Sequence, residues 1–124
     1  MADPIDVVQS FCEAWVKGDI DALVDYFTDD AVYHNIPIAP VSGKDAIRAT
    51  IAGFTGGVDS IEFRVLAIAA SGNVVLTERD DVFTMPNATI ELPVMGTFEV
   101  QGDKIAAWRD YFDMNQFMSQ MPSA

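Results

Sequence analysis

The chain has 124 residues, half of them hydrophobic, with a formal charge of −12. That length and apolar content support a buried core and exclude a disordered chain, and the charge disfavours nucleic acid and anionic membrane surfaces as partners. A single cysteine, Cys12, and a single histidine, His34, exclude an internal disulfide and any metal centre built from cysteines or histidines.

In chain order, "DPIDVVQSFCEAWVKGD" predicts an amphipathic helix. Asp3 and Pro4 suit its start, Ile5, Val8, Cys12, Trp15 and Val16 form an apolar stripe, and Gly18 ends it. "DIDALVDYF" predicts a second short helix with Ile20, Leu23, Val24 and Phe27 inward. "AVYHNIPI" predicts a strand closed by Pro37 and Pro40. "SGKDAIRATIAGF" predicts a third helix with Ile47, Ile51 and Phe54 on one side, broken by Gly56 and Gly57.

The pattern then changes to period two. "SIEFRVLAI" places Ile61, Phe63, Val65 and Ala67 on one face, and "NVVLTERDDVF" follows. After a turn at Pro86 and Asn87, "ATIELPVMGTFEV" puts Ile90, Leu92, Val94, Phe98 and Val100 on one face. A "QGD" hairpin leads into "KIAAWRDYF", where Ala106, Trp108, Asp110 and Phe112 share a face, and "MNQFMSQM" predicts one or two closing helical turns. Helices followed by a run of strands predict an α+β fold, a curved antiparallel or mixed sheet with helices on one side. Residues 1–124 read as one domain, with no repeat or linker. The acidic N-terminus does not read as a signal peptide, and the longest apolar run, "VLAIAA", is too short to span a bilayer, so a cytoplasmic location is expected.

Polar side chains interrupt three of the predicted apolar faces. Tyr33 and Asn35 share one, Arg79 and Asp81 share another with Val75, Thr77 and Phe83, and Asp110 lies between Trp108 and Phe112. If these faces meet, two carboxylates and one guanidinium share an aromatic-walled cavity. Unpaired, each such charge would cost several kcal/mol on burial. An arginine fork between two carboxylates offsets that and leaves the trio at net −1, so one acid can hold a proton while its twin stays ionised. Structural readings stand beside this one. Asp110 alone can be a satisfied core carboxylate, Arg79 and Asp81 a surface pair, Tyr33 a core residue with its hydroxyl at the rim, and Asn35 a turn cap. His34 reads as surface or rim.

The segments "YHNIP", "TERDD" and "WRDYFD" together resemble the limonene-1,2-epoxide hydrolases, members of the nuclear-transport-factor-like cone-fold superfamily, and the likeness runs from "VVQSFCEAW" to "FDMNQF". The resemblance implies a cone-shaped fold with helices packed on the concave side of its sheet. It implies that a small hydrophobic epoxide and water react in one step to a vicinal diol, without cofactor or metal. Asp110 would take a proton from a water held by Tyr33 and Asn35, Asp81 would protonate the epoxide oxygen, and Arg79 would bridge the two acids. The expected apolar wall, from matching parity and the first helix, is Trp15, Phe54, Phe83, Leu92, Val94, Trp108, Phe112 and Phe117. The family further implies a homodimer formed through the sheet. Isomerases, dehydratases and polyketide cyclases of the same cone, and an inert small-molecule binding module, are the competing readings.

Overall fold

The computed structural model describes residues 3–122. Its order is α1 (Pro4–Ala14), a 3-10 turn (Trp15–Lys17), α2 (Ile20–Val24), β1 (Phe27–Asn35), β2 (Val41–Ser42), α3 (Lys44–Thr55), β3 (Ser60–Ser71), β4 (Val74–Met85), β5 (Ala88–Gln101), β6 (Lys104–Tyr111) and α4 (Met114–Met118). The six strands form one mixed sheet in the order β2-β1-β6-β5-β4-β3, in which only β1 and β6 run parallel. The fold is α+β, a curved sheet with the helices against its concave side. Among the described residues no helix is long and apolar enough to cross a membrane.

The Asp3 carboxylate caps α1 by accepting from the Ile5 N–H at 2.9 Å, and Pro4 supplies a first residue that needs no partner for a backbone N–H. The helix then lays Val7, Val8, Phe11 and Cys12 against the sheet. Phe11 is the hub: its ring meets those of Trp15, Tyr26, Phe27, Phe98 and Trp108 edge-on at 5.0 to 6.1 Å between centroids. Edge-on packing sets the positive rim of one ring against the negative face of the next, adding to the area each ring buries.

Several expectations need correction. Val16 is 61% exposed, because the helix gives way to a tight 3-10 turn after Ala14 and swings that residue outward. Phe27 does not close the second helix but opens β1, where it is buried all the same. In β3 the register slips between Val65 and Ala67, so Ile68 rather than Ala67 packs against the core. A similar slip opposite Glu99 and Val100 makes Ile105, not Ala106, the buried neighbour of Trp108. Each bulge reverses the inward parity of a strand, and simple alternation cannot foresee it. The two-residue β2, absent from the sequence reading, pairs with β1 at Val32 and Tyr33.

Phe11→Ala should therefore lose about 3–5 kcal/mol of stability, the usual cost of emptying a fully buried aromatic site. Urea unfolding of the variant beside the parent checks this; a loss below about 1 kcal/mol would show that the cluster is not the keystone of the core.

Candidate active site

Strand register brings the polar residues together. Asn35 sits beside Asp110 and Tyr33 beside Trp108 across the parallel β1–β6 pair. On its other side Asp110 faces Gly96 of β5, and Gly96 faces Thr77 of β4. Arg79 and Asp81 follow Thr77 on the same face of β4. Among the described residues, the buried polar and charged side chains are Thr77, Arg79, Asp81 and Asp110, all in this one cluster.

Arg79 organises it. Its Nε and Nη2 donate to the two oxygens of Asp81 at 3.0 and 2.8 Å. Nη1 and Nη2 donate to the two oxygens of Asp110 at 3.2 and 2.8 Å, and Nη1 also donates to Thr77 Oγ1 at 3.1 Å. A guanidinium carries five N–H donors, and all five are spent. Its carbon lies 4.6 Å from the centre of the Phe63 ring, which covers the cation with an aromatic face. Asp110 receives a third donor, the Trp108 indole N–H, at 2.6 Å from Oδ1. Asp110 thus accepts three hydrogen bonds and Asp81 two.

Burial pushes the Asp81 carboxyl up to about 6, against the opposing pull of Arg79 and with a further push from Asp110. The Tyr33 phenol is driven well above its ordinary value, chiefly by burial, so it remains a donor at physiological pH. That O–H donates to Asn35 Oδ1 at 3.2 Å, and the Tyr33 ring stacks on Trp108 at 4.1 Å between centroids. Burial also lifts the Cys12 thiol to about 12, which keeps the lone cysteine protonated and unreactive. Among the described residues no three His, Cys, Asp or Glu side chains converge as metal ligands.

The acids open onto a cavity of about 170 Å³. Tyr33, Asn35, Asp81 and Asp110 line it, and so do Phe54, Phe83, Leu92, Val94, Phe112 and Phe117 of the expected wall. Trp15 and Trp108 do not. Trp15 stacks on Phe63 at 4.5 Å and on Phe54 at 5.8 Å, one layer behind the wall, because the 3-10 turn carries it to the far side of those rings. Trp108 is sandwiched between Tyr33 and Phe98 and reaches the site only through its indole N–H. Sequence reasoning missed Ile38, Phe63 and Met114, which complete the lining. Phe63 shares parity with the core residues of β3, a signal that was available, whereas its pairing with Asp81 is set by the sheet register. Ile38 lies in the turn after β1, where periodicity carries no information. His34 points away from the acids and bonds the Ile38 carbonyl at 2.9 Å.

The family model for the limonene-1,2-epoxide hydrolase catalytic domain matches residues 2–123. The chain belongs to this family. It is 33% identical over 107 residues to the epoxide hydrolase EphG of Mycobacterium tuberculosis, covering 86% of this chain and 71% of that protein. The solved structure of a limonene-epoxide-hydrolase-like epoxide hydrolase from M. tuberculosis superposes with a TM-score of 0.83 at 31% identity, over 94% of this chain and 87% of the other. A SnoaL-like polyketide cyclase from Shewanella putrefaciens superposes with a TM-score of 0.86 over 97% and 96% of the two chains, but at 14% identity. That second likeness shows the cone fold alone.

Arg79→Leu would leave two buried carboxylates without their cation. Breaking such a network costs about 3–5 kcal/mol at neutral pH. Without Arg79 both acids bind protons more tightly folded than unfolded, so the deficit should shrink as pH falls toward about 4. Urea unfolding at pH 7 and pH 4 tests this; an equal loss at both would mean that the ion cluster contributes no net electrostatic stability.

Proposed function

We propose that the protein hydrolyses a small, neutral, hydrophobic epoxide to a vicinal diol by direct attack of water. The observation that carries this reading is Arg79, its five donors divided among Asp81, Asp110 and Thr77, holding two unequal acids at the edge of an apolar cavity. Asp110, with three donors, is the base. Asp81, with two and a raised pKa, is the proton donor.

A water held by the Tyr33 phenol oxygen and the Asn35 amide gives one proton to Asp110 while its oxygen bonds to an epoxide carbon. The carbon–oxygen bond of the ring breaks as Asp81 gives its proton to the departing oxygen. The diol then carries both new hydroxyls, Asp110 holds the proton taken from water, and transfer of one proton back to Asp81 resets the pair. Acid and base each contribute typically about two to four orders of magnitude. No step calls for a metal or cofactor. The 170 Å³ cavity, smaller than the roughly 300 Å³ of drug-sized sites, suits a compact epoxide.

Membership of the epoxide hydrolase family supports this over cyclase or isomerase chemistry, as does the site itself. Arg79, the one cation at the site, has no N–H left to steady an enolate oxyanion, because each one faces a carboxylate or Thr77. The reading extends to a cytoplasmic homodimer. Half-exposed Leu76, Met95 and Tyr111 on the outer side of β4, β5 and β6 supply apolar surface suited to pairing through the sheet.

With cyclohexene oxide as a probe, Asp110→Asn should abolish turnover while the protein stays folded by circular dichroism; near-normal turnover would refute the role. A single turnover in ¹⁸O-water should place the label in the diol at once, and label retained in the protein would mean a covalent ester instead. Because the reaction needs protonated Asp81, kcat/KM should fall as pH rises above about 6. A rate that climbs steadily from pH 5 to pH 9 would contradict that assignment.

A further inference from the structure

Glycine inside a strand weakens it, since it brings no side chain to pack and loses more freedom on ordering than other residues. Gly96 nevertheless occupies a buried, inward position in β5, between Asp110 on one neighbouring strand and Thr77 on the other. Its φ is negative, so backbone conformation does not demand glycine. Space does. A Cβ built on Gly96 would stand against Arg79 Nη1, 2.7 Å from Asp110 Oδ1 and 2.9 Å from Thr77 Oγ1. Arg79 springs from β4 and Asp110 from β6, so the guanidinium must cross β5 to reach its second carboxylate. It crosses over Gly96.

Thr77 fixes the crossing point. Its hydroxyl accepts from Arg79 Nη1 at 3.1 Å and donates to the Gly96 carbonyl at 3.3 Å. With that hydroxyl proton committed to the β5 backbone, the oxygen faces the guanidinium as an acceptor. The fork is held low over the glycine, where Nη1 also meets Asp110.

We infer that Gly96 and Thr77 are positioning residues that set the inequality of the two acids, by giving the Arg79 fork the room and the anchor it needs to place Nη1 as well as Nη2 on Asp110. The inference rests on the acid and base roles proposed above, and it adds two residues that touch neither substrate nor water. Enlarging position 96 would drive Nη1 and Asp110 Oδ1 apart. Asp110 would then keep two donors, as Asp81 does, and the inequality between the two acids would shrink. The other groups that act on Asp110 stay in place: Asp81 on β4, the Tyr33 phenol on β1, the Trp108 indole on β6 and the Cys12 thiol on α1.

The test reads Asp110 directly. Its Oδ1 accepts the Trp108 indole N–H, so the ¹⁵N–¹H indole signal of Trp108 reports the carboxylate's charge as pH is varied. Trp15 is the one other tryptophan of the chain, and a Trp15→Phe sample assigns the two signals. In Gly96→Ala and Thr77→Val the Trp108 transition should move up by about one pH unit, tenfold in proton affinity. Thr77→Ser, which keeps the hydroxyl, should return it to the parent value. The rising acid limb of kcat/KM should move with it. Should Gly96→Ala fail to fold, Thr77→Val and Thr77→Ser decide the matter. Folded variants whose indole transition and acid limb coincide with the parent's would overturn the inference, since a purely structural role predicts lost stability and an unmoved titration. The indole signal titrates whether or not an epoxide is turned over, so failure of the hydrolase reading and failure of this inference are separately visible.

Discussion

Everything in the site depends on one cation held between two anions across three strands. Arg79 is fully buried, and no water could solvate it at comparable cost. It persists because each N–H meets an oxygen and because two carboxylates outweigh its charge. The surplus negative charge is the useful part. Three charges that sum to −1 in a dry cavity favour retention of one proton, and in the proposed mechanism the unequal donor counts select the acid that keeps it. The fold supplies that inequality through strand order. β5 separates the arginine from Asp110, Trp108 lies two residues before Asp110 on the same face, and the first strand returns parallel to β6 to bring Tyr33 and Asn35 alongside.

The aromatic cluster beneath makes this arrangement rigid. Phe11 ties the first helix to Trp108, and Trp108 lies flat between Tyr33 and Phe98. Movement of that one indole would disturb the phenol on its face and the carboxylate on its edge together. Core packing and site geometry are the same structure seen from two sides.

Much of this was legible in the sequence because alternation is a local property. The parity of "YHN", "TERDD" and "WRD" put Tyr33, Asn35, Arg79, Asp81 and Asp110 on inward faces, and the structure sets four of them on one cavity, with Arg79 buried and bonded to the two acids. The order of helices and strands gave the fold class. What alternation could not carry were the events that break it. The bulge in β3 exchanged Ala67 for Ile68, the slip in β6 exchanged Ala106 for Ile105, and the 3-10 turn turned Val16 outward while withdrawing Trp15 behind Phe63. Depth was equally hidden. Trp108 and Phe63 both face inward, but only Phe63 reaches the cavity, because Trp108 is covered on both faces. Gly96 was invisible for another reason: an absent side chain leaves no mark in a hydrophobicity pattern, and its meaning emerges only when the neighbours it accommodates are known.

The central claim, that one of the two acids keeps a proton and the other does not, is open to neutron diffraction. Deuterated crystals grown near pH 5, below the titration of Asp81, should show a deuteron on an Asp81 oxygen and none on Asp110, with Arg79 fully deuterated between them. Nuclear density for two bare carboxylates, or for a deuteron on Asp110 instead, would contradict the account.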